Sequence, residues 1–131
     1  MNGSEPYPMR VLDASALLAV LFREVGFEVV PLEGSAVSAV NWSEVVQVAA
    51  QRDANVVGLG DAIAAEGAVV VPFTAAHAES AAALWPRTRA AGLSLGDRAC
   101  LALARRYGVP ALTADRAWGD VEAGVEVVVV R

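Results

Sequence analysis

Short apolar runs alternate with helix-forming segments along nearly the whole chain, and no other feature restricts the available folds as strongly. Met9 to Leu12, Ser35 to Val40, Ala68 to Phe73, Pro110 to Thr113 and Val125 to Val130 read as strands one to five. The third is apolar enough to be covered on both faces, as central parallel strands are. Strands that alternate with helices imply right-handed crossovers, and so an α/β fold with a mainly parallel five-stranded sheet and helices on both faces.

The helices carry their own start and stop signals. Ala14 to Arg23 runs through Leu17, Leu18, Leu21 and Phe22 and ends near Gly26. A short helix around Phe27 to Leu32 is weakened by Pro31. Asn41 reads as the N-cap of a helix to about Arg52, with Glu44 at the third position of a capping box. Val56 to Ala65 is a further helix, loosened by Gly58 and Gly60 and closed by Gly67. Thr74 caps an alanine-rich helix that Pro86 is expected to stop after Trp85. Ser94 and Asp97 repeat the capping-box spacing ahead of a helix to Tyr107, with Gly108 just past its end.

A length of 131 residues fits one domain, read as residues 9–131 behind a flexible N-terminal tail, residues 1–8. Charge, glycine or proline interrupts every apolar stretch well before the ~20 residues of a membrane span. The first residues lack the basic and apolar regions of a secretory signal, so a soluble cytoplasmic protein is expected. Cys100, in the run ACLALA, reads as a small buried thiol, and His77 as structural or exposed. All ten basic residues are arginine. A P-loop therefore lacks its lysine, as does a receiver-type or haloacid-dehalogenase-type phosphoryl site. The net charge of −5 opposes nucleic-acid binding through a basic surface, although divalent cations at an acidic cluster would offset most of it.

Four acids stand where an apolar run meets a helix start or a strand end: Asp13, Glu44, Asp97 and Asp115. Each has a structural alternative, as a helix cap, a capping-box partner or a turn residue. Strand ends and the helix starts that follow them share one edge of a parallel sheet, which drives Asp13, Glu44 and Asp115 to one rim. Asp97 precedes strand four and reaches that rim only if the long segment before it carries the helix start back.

The blocks Val11-Leu12-Asp13-Ala14-Ser15, Ser43-Glu44-Val45, Gly92-Leu93-Ser94-Leu95-Gly96-Asp97 and Leu112-Thr113-Ala114-Asp115-Arg116-Ala117-Trp118 resemble the PIN domain of VapC-type toxins. The resemblance runs from Met9 to Arg131 with all four acidic blocks in order. It implies a three-layer sandwich with sheet order 3-2-1-4-5, which places strands one and four side by side. It also implies a Mg²⁺- or Mn²⁺-dependent endoribonuclease acting on RNA, a VapB-like antitoxin as partner and a homodimer. Its acidic positions fall on Asp13, Glu44, Asp97 and Asp115, with Asp120 a less certain fifth, and its hydroxyl positions on Ser15 and Thr113.

Hard carboxylate oxygens suit Mg²⁺ and Mn²⁺, and the missing Cys and His partners argue against zinc. Asp13, Asp97 and Asp115 are the expected metal-holding acids. Asp13 and Asp115 are expected to bind directly, and Glu44 and Asp97 through water or by orienting the attacking water, with Ser15 and Thr113 supporting them. Arg98 and Arg116 are candidates for phosphate contacts, with a solvated helix face as the alternative. The antitoxin segment is expected to be basic and amphipathic, lying against the helix around Leu17, Leu21 and Phe22. Two rival readings stay open. One is another acid-dependent phosphohydrolase, which would want an acid in place of Ser15 and a late lysine. The other is a noncatalytic module whose acids only cap helices or dock a basic partner.

Overall fold

The computed structural model describes residues 8–131. The expected tail lies outside the described residues except for Pro8, which is buried. Five parallel strands form one sheet: β1 (Arg10–Leu12), β2 (Ser35–Ser38), β3 (Val69–Val71), β4 (Ala111–Thr113) and β5 (Val127–Val129), in the order β3-β2-β1-β4-β5. Val11 is in register with Ala36 and Ala111, and Leu12 with Val37 and Leu112. Because strand side chains alternate between faces, this register sorts the core into two clusters. Val11, Ala36 and Ala111 pack with Ala81, Leu84, Leu101 and Trp118 on one face. Leu12, Val37 and Leu112 pack with Leu17, Val45 and Ile63 on the other.

Those packing residues come from helices laid on both sides: α1 (Ala14–Phe22), α2 (Ala39–Gln51), α3 (Leu59–Ala65), α4 (Ala75–Ala83), α5 (Trp85–Thr88) and α6 (Leu95–Tyr107). Leu17 and Leu101, both fully buried, each contribute about 1.5–3 kcal/mol of apolar burial. Single 3₁₀ turns at Phe27–Val29, Arg89–Ala91 and Arg116–Asp120 complete the chain. The first of these stands where a short helix to Leu32 was expected.

Several boundaries differ from the sequence reading, each for a local physical reason. α2 begins at Ala39, so β2 stops at Ser38, whose hydroxyl accepts from the Val40 N–H as the N-cap. Asn41 is therefore inside the helix and not its cap, and Glu44 is not a capping-box partner. Small residues alternating with valine suit a strand or a buried first helical turn, so periodicity alone could not separate them. α3 starts late, behind Gly58 in a left-handed conformation (φ 76°). β3 is an edge strand with Val69 42% exposed, so its run of valines does not mark a central position. Pro86 does not end the helical path. It lies in the first turn of α5, where a missing N–H leaves no bond unmade.

That detour decides where Asp97 lies. α5 and the turn at Arg89–Ala91 lead to Gly92, whose positive φ of 71° reverses the chain. α6 then starts beside α2 at the C-terminal edge of the sheet, where the Asn41 side chain reaches the carbonyl of Gly96. Its capping box forms as expected, with Ser94 Oγ accepting from the Asp97 N–H and Asp97 Oδ2 accepting from the Ser94 N–H.

Candidate active site

Asp13 stands at the end of β1 and is at once the N-cap of α1 and its first buried charge, only 3% exposed. The Ser15 hydroxyl donates to its two oxygens at 2.7 and 2.9 Å, the Ala16 N–H donates at 2.8 Å, and the Thr113 hydroxyl donates to Oδ2. Both hydroxyls are themselves oriented by the backbone beyond β4. Ser15 Oγ accepts from the Ala114 N–H at 2.8 Å, and Thr113 Oγ1 from the Asp115 N–H at 3.0 Å. Ser15 and Thr113, expected to support the acids, both hydrogen-bond to Asp13. Burial nevertheless outweighs these donors and raises Asp13 to a pKa of about 6, with the nearby Asp97 charge adding to the rise.

Asp13, Glu44, Asp97 and Asp115 all line one cavity of about 220 Å³, together with Ser15 and Asn41. Glu44 is also raised, chiefly by burial and further by Asp97, against the lowering effect of a hydrogen bond from Asn41. Asp97 and Asp115 each give one oxygen to a backbone N–H, of Ser94 and Ala117 respectively, which leaves the other oxygen for a ligand. Four segments distant in sequence therefore bring carboxylates to one rim, in a site short of positive charge.

The donor set is all oxygen and suits a hard divalent cation. Among the described residues, however, no three such side chains are already drawn around a single point.

Arg116 lines an adjoining cavity of about 500 Å³ with Ser15, Asp115 and Arg131. Arg98 turns elsewhere, its Nη1 donating to the Ala81 carbonyl at 3.1 Å. Asp120, exposed at the end of a 3₁₀ turn, is not in the wall of the acid-lined cavity. Cys100 is fully buried, and burial together with the charges of Asp13, Asp97 and Glu44 pushes its thiol well above the usual range, so it is inert. His77 Nδ1 lies 2.9 Å from the Pro72 carbonyl, to which its N–H tautomer donates, and the His77 backbone N–H donates to Thr74 Oγ1 at the start of α4, a structural role.

Sequence reasoning missed Asn41 and Gly96. Asn41 and Glu44 are three residues apart on α2 and so share a face, a signal that is visible once the helix start is set at Ala39.

The PIN domain family profile matches residues 10–124. The chain belongs to the PIN domain family. No curated protein sequence matches it significantly. Among solved structures, a toxin-antitoxin complex from Klebsiella pneumoniae is similar with a TM-score of 0.67 at 19% identity, over 93% of this chain and 98% of the other. FitAcB from Neisseria gonorrhoeae gives 0.65 at 21% identity, over 91% and 96%. The Mycobacterium tuberculosis toxin VapC20, described as cleaving the sarcin-ricin loop, gives 0.66 at 19% identity, over 89% and 98%. At these identities the likeness carries the fold, and the expected PIN-like sandwich with its 3-2-1-4-5 sheet is the one found.

Proposed function

We propose that this PIN domain is a divalent-metal-dependent endoribonuclease and the toxin half of a toxin–antitoxin pair, working in the cytoplasm. The observation that carries the reading is the convergence of Asp13, Glu44, Asp97 and Asp115 on one cavity, with Asp13 raised to about pKa 6 by burial and by the nearby Asp97 charge. A divalent cation is the partner such a site calls for. Mg²⁺ or Mn²⁺ would be held by Asp13, Asp97 and Asp115, with Glu44 acting through water. Bound there, it would supply an activated water and offset charge on the scissile phosphate.

The chain's own residues do the rest. Ser15 and Thr113 hold the Asp13 carboxylate in one orientation, and the Ala114 and Asp115 N–H groups hold those hydroxyls. Glu44 and Asp97, which line the same cavity, would orient the attacking water through their carboxylates. Arg116 and Arg131, beside Asp115, neutralise the RNA backbone on the way into the site. No nucleophile from the protein is needed, in keeping with the buried thiol of Cys100 and the structural His77.

Toxin-antitoxin complexes among the structural neighbours support an antitoxin partner. A basic segment fits the acidic cavity, while the adjoining hollow mixes Leu18 and Val25 with Glu24, Arg52 and Arg131, so it offers an apolar patch and charged partners to such a segment. Leu17, expected in that groove, is wholly buried and contributes to the core instead, while Leu21 and Phe22 are half-buried. Among the described residues no helix is long and apolar enough to cross a membrane.

The test is cleavage of a structured RNA with Mg²⁺, with Mn²⁺ and with EDTA, by the wild type and by Asp13→Asn. Cleavage that needs the metal and is abolished in the folded variant is expected. Equal cleavage by the folded variant, or none by the wild type with either metal, overturns the reading.

A further inference from the structure

Asn41 is 1% exposed and lies on α2 one helical turn before Glu44. Its Nδ2 donates to Glu44 Oε1 at 3.1 Å and to the carbonyl of Gly96 at 3.0 Å. The Gly96 carbonyl can only accept, as can the ionised Glu44 carboxylate, so the amide turns its nitrogen toward them and its orientation is dictated by its surroundings. The cost falls on Oδ1, which is buried with no partner among the described residues. A leucine, of the same branched shape, would leave no such orphan. What distinguishes asparagine here is the pair of N–H groups it directs at Glu44 and at the first turn of α6.

Gly96 completes the arrangement. The Glu44 carboxylate lies so close against it that a Cβ at position 96 would collide with Oε1. Gly96 immediately precedes Asp97, so one amide and one missing side chain join α2 to α6 at the point where both present an acid to the same cavity.

We propose that Asn41 is a positioning residue for the acidic site, setting the placement of Glu44 relative to Asp97 and thereby the affinity of the cavity for a divalent cation. This rests on the metal-dependent reading above and assigns Asn41 no contact with metal or RNA.

The experiment measures Mn²⁺ affinity by electron paramagnetic resonance, alongside melting temperature, for Asn41→Leu and Asn41→Ala in wild-type and Glu44→Gln backgrounds. Removing a group that orients a ligand is expected to weaken Mn²⁺ binding on the order of 10-fold. In the Glu44→Gln background the same changes should alter it by less than about 2-fold, because effects that act through one group do not add. Asn41→Leu should recover thermal stability relative to Asn41→Ala but not Mn²⁺ binding. If Asn41→Leu restores Mn²⁺ binding, or if the loss is equal in both backgrounds, the role is packing alone and the proposal is overturned. Gly96→Ala displaces Glu44 by a separate route. It should weaken Mn²⁺ binding alone and add little to Asn41→Leu; full additivity overturns the proposal even if the alanine variant at 41 fails to fold. A wild type that neither binds Mn²⁺ nor cleaves RNA overturns the metal-dependent reading together with this one. With a wild type that does both, a failure among the variants counts against the role of Asn41 alone.

Discussion

Asp13 shows how capping and chemistry coexist in a single residue. Its carboxylate satisfies the Ala16 N–H as any N-cap would, yet its burial beside Asp97 makes the charge unwelcome until something positive arrives. The folded pKa, about 6, lies above the reference value of 3.8, so between those values the metal-free folded state holds a proton that the unfolded chain has released. Its stability is therefore highest below about pH 4 and is lost as the pH rises through 6, by at most about 3 kcal/mol from this group. Glu44, raised as well, adds in the same direction. Urea melts in EDTA should show the protein less stable at pH 7 than at pH 4.5, and Asp13→Asn should flatten most of that slope and stabilise the protein at pH 7. A metal-free wild type whose stability increased over this interval would contradict the assignment. Thr113→Val offers a second measurement, because it removes a donor to Asp13 and the acceptor of the Asp115 N–H. A loss of about 1–3 kcal/mol is expected from the unmet groups, together with weaker Mn²⁺ binding.

Within α6, the first turn serves the site and the remainder serves the core. Ser94 and Asp97 form the capping box, while Leu101, one turn further on, is fully buried against the sheet. The two tasks separate by mutation. Asp97→Asn retains an acceptor for the Ser94 N–H, so the melting temperature should change little while metal-dependent cleavage is lost. Ser94→Ala should cost about 1 kcal/mol through the lost acceptor for the Asp97 N–H, while the Ser94 N–H still holds the Asp97 carboxylate, so metal-dependent cleavage should be largely kept. Leu101→Ala should cost about 2–5 kcal/mol, with metal affinity of the folded fraction unchanged. Circular dichroism melts paired with a cleavage assay distinguish the three patterns. Cleavage at the wild-type rate by folded Asp97→Asn would reduce that acid to a helix cap.

At the scale of the whole molecule, net charge and local charge oppose each other. Under the proposed function a chain of net charge −5 meets a polyanion through few contacts, and Arg116 and Arg131 are the arginines that border Asp115. Arg52 is engaged with Glu24 at 3.1 Å and Arg98 with the Ala81 carbonyl. RNA affinity should therefore fall only shallowly with salt, and Arg116→Gln and Arg131→Gln should each reduce the slope of log affinity against log salt by about 1. A slope that the double variant leaves unchanged would place the phosphate contacts elsewhere. Fold class and the placement of Asp13, Glu44 and Asp115 at one rim were legible in the amino-acid order, because apolar period and helix caps are local properties, whereas the sheet order came only through family resemblance. Asp13 as a helix cap belongs to that legible part, as does the capping box of Ser94 and Asp97, while Ser15 and Thr113 were reached only through the resemblance. The start of α6 at the edge where β1 ends was legible only in three dimensions, since it depends on Pro86 continuing a helical path and on Gly92 reversing the chain. The same holds for the contact of Asn41 and Glu44 with Gly96, made across 55 residues of chain. Their meeting depends on how closely two helix backbones pack, and no local pattern along the chain encodes that distance.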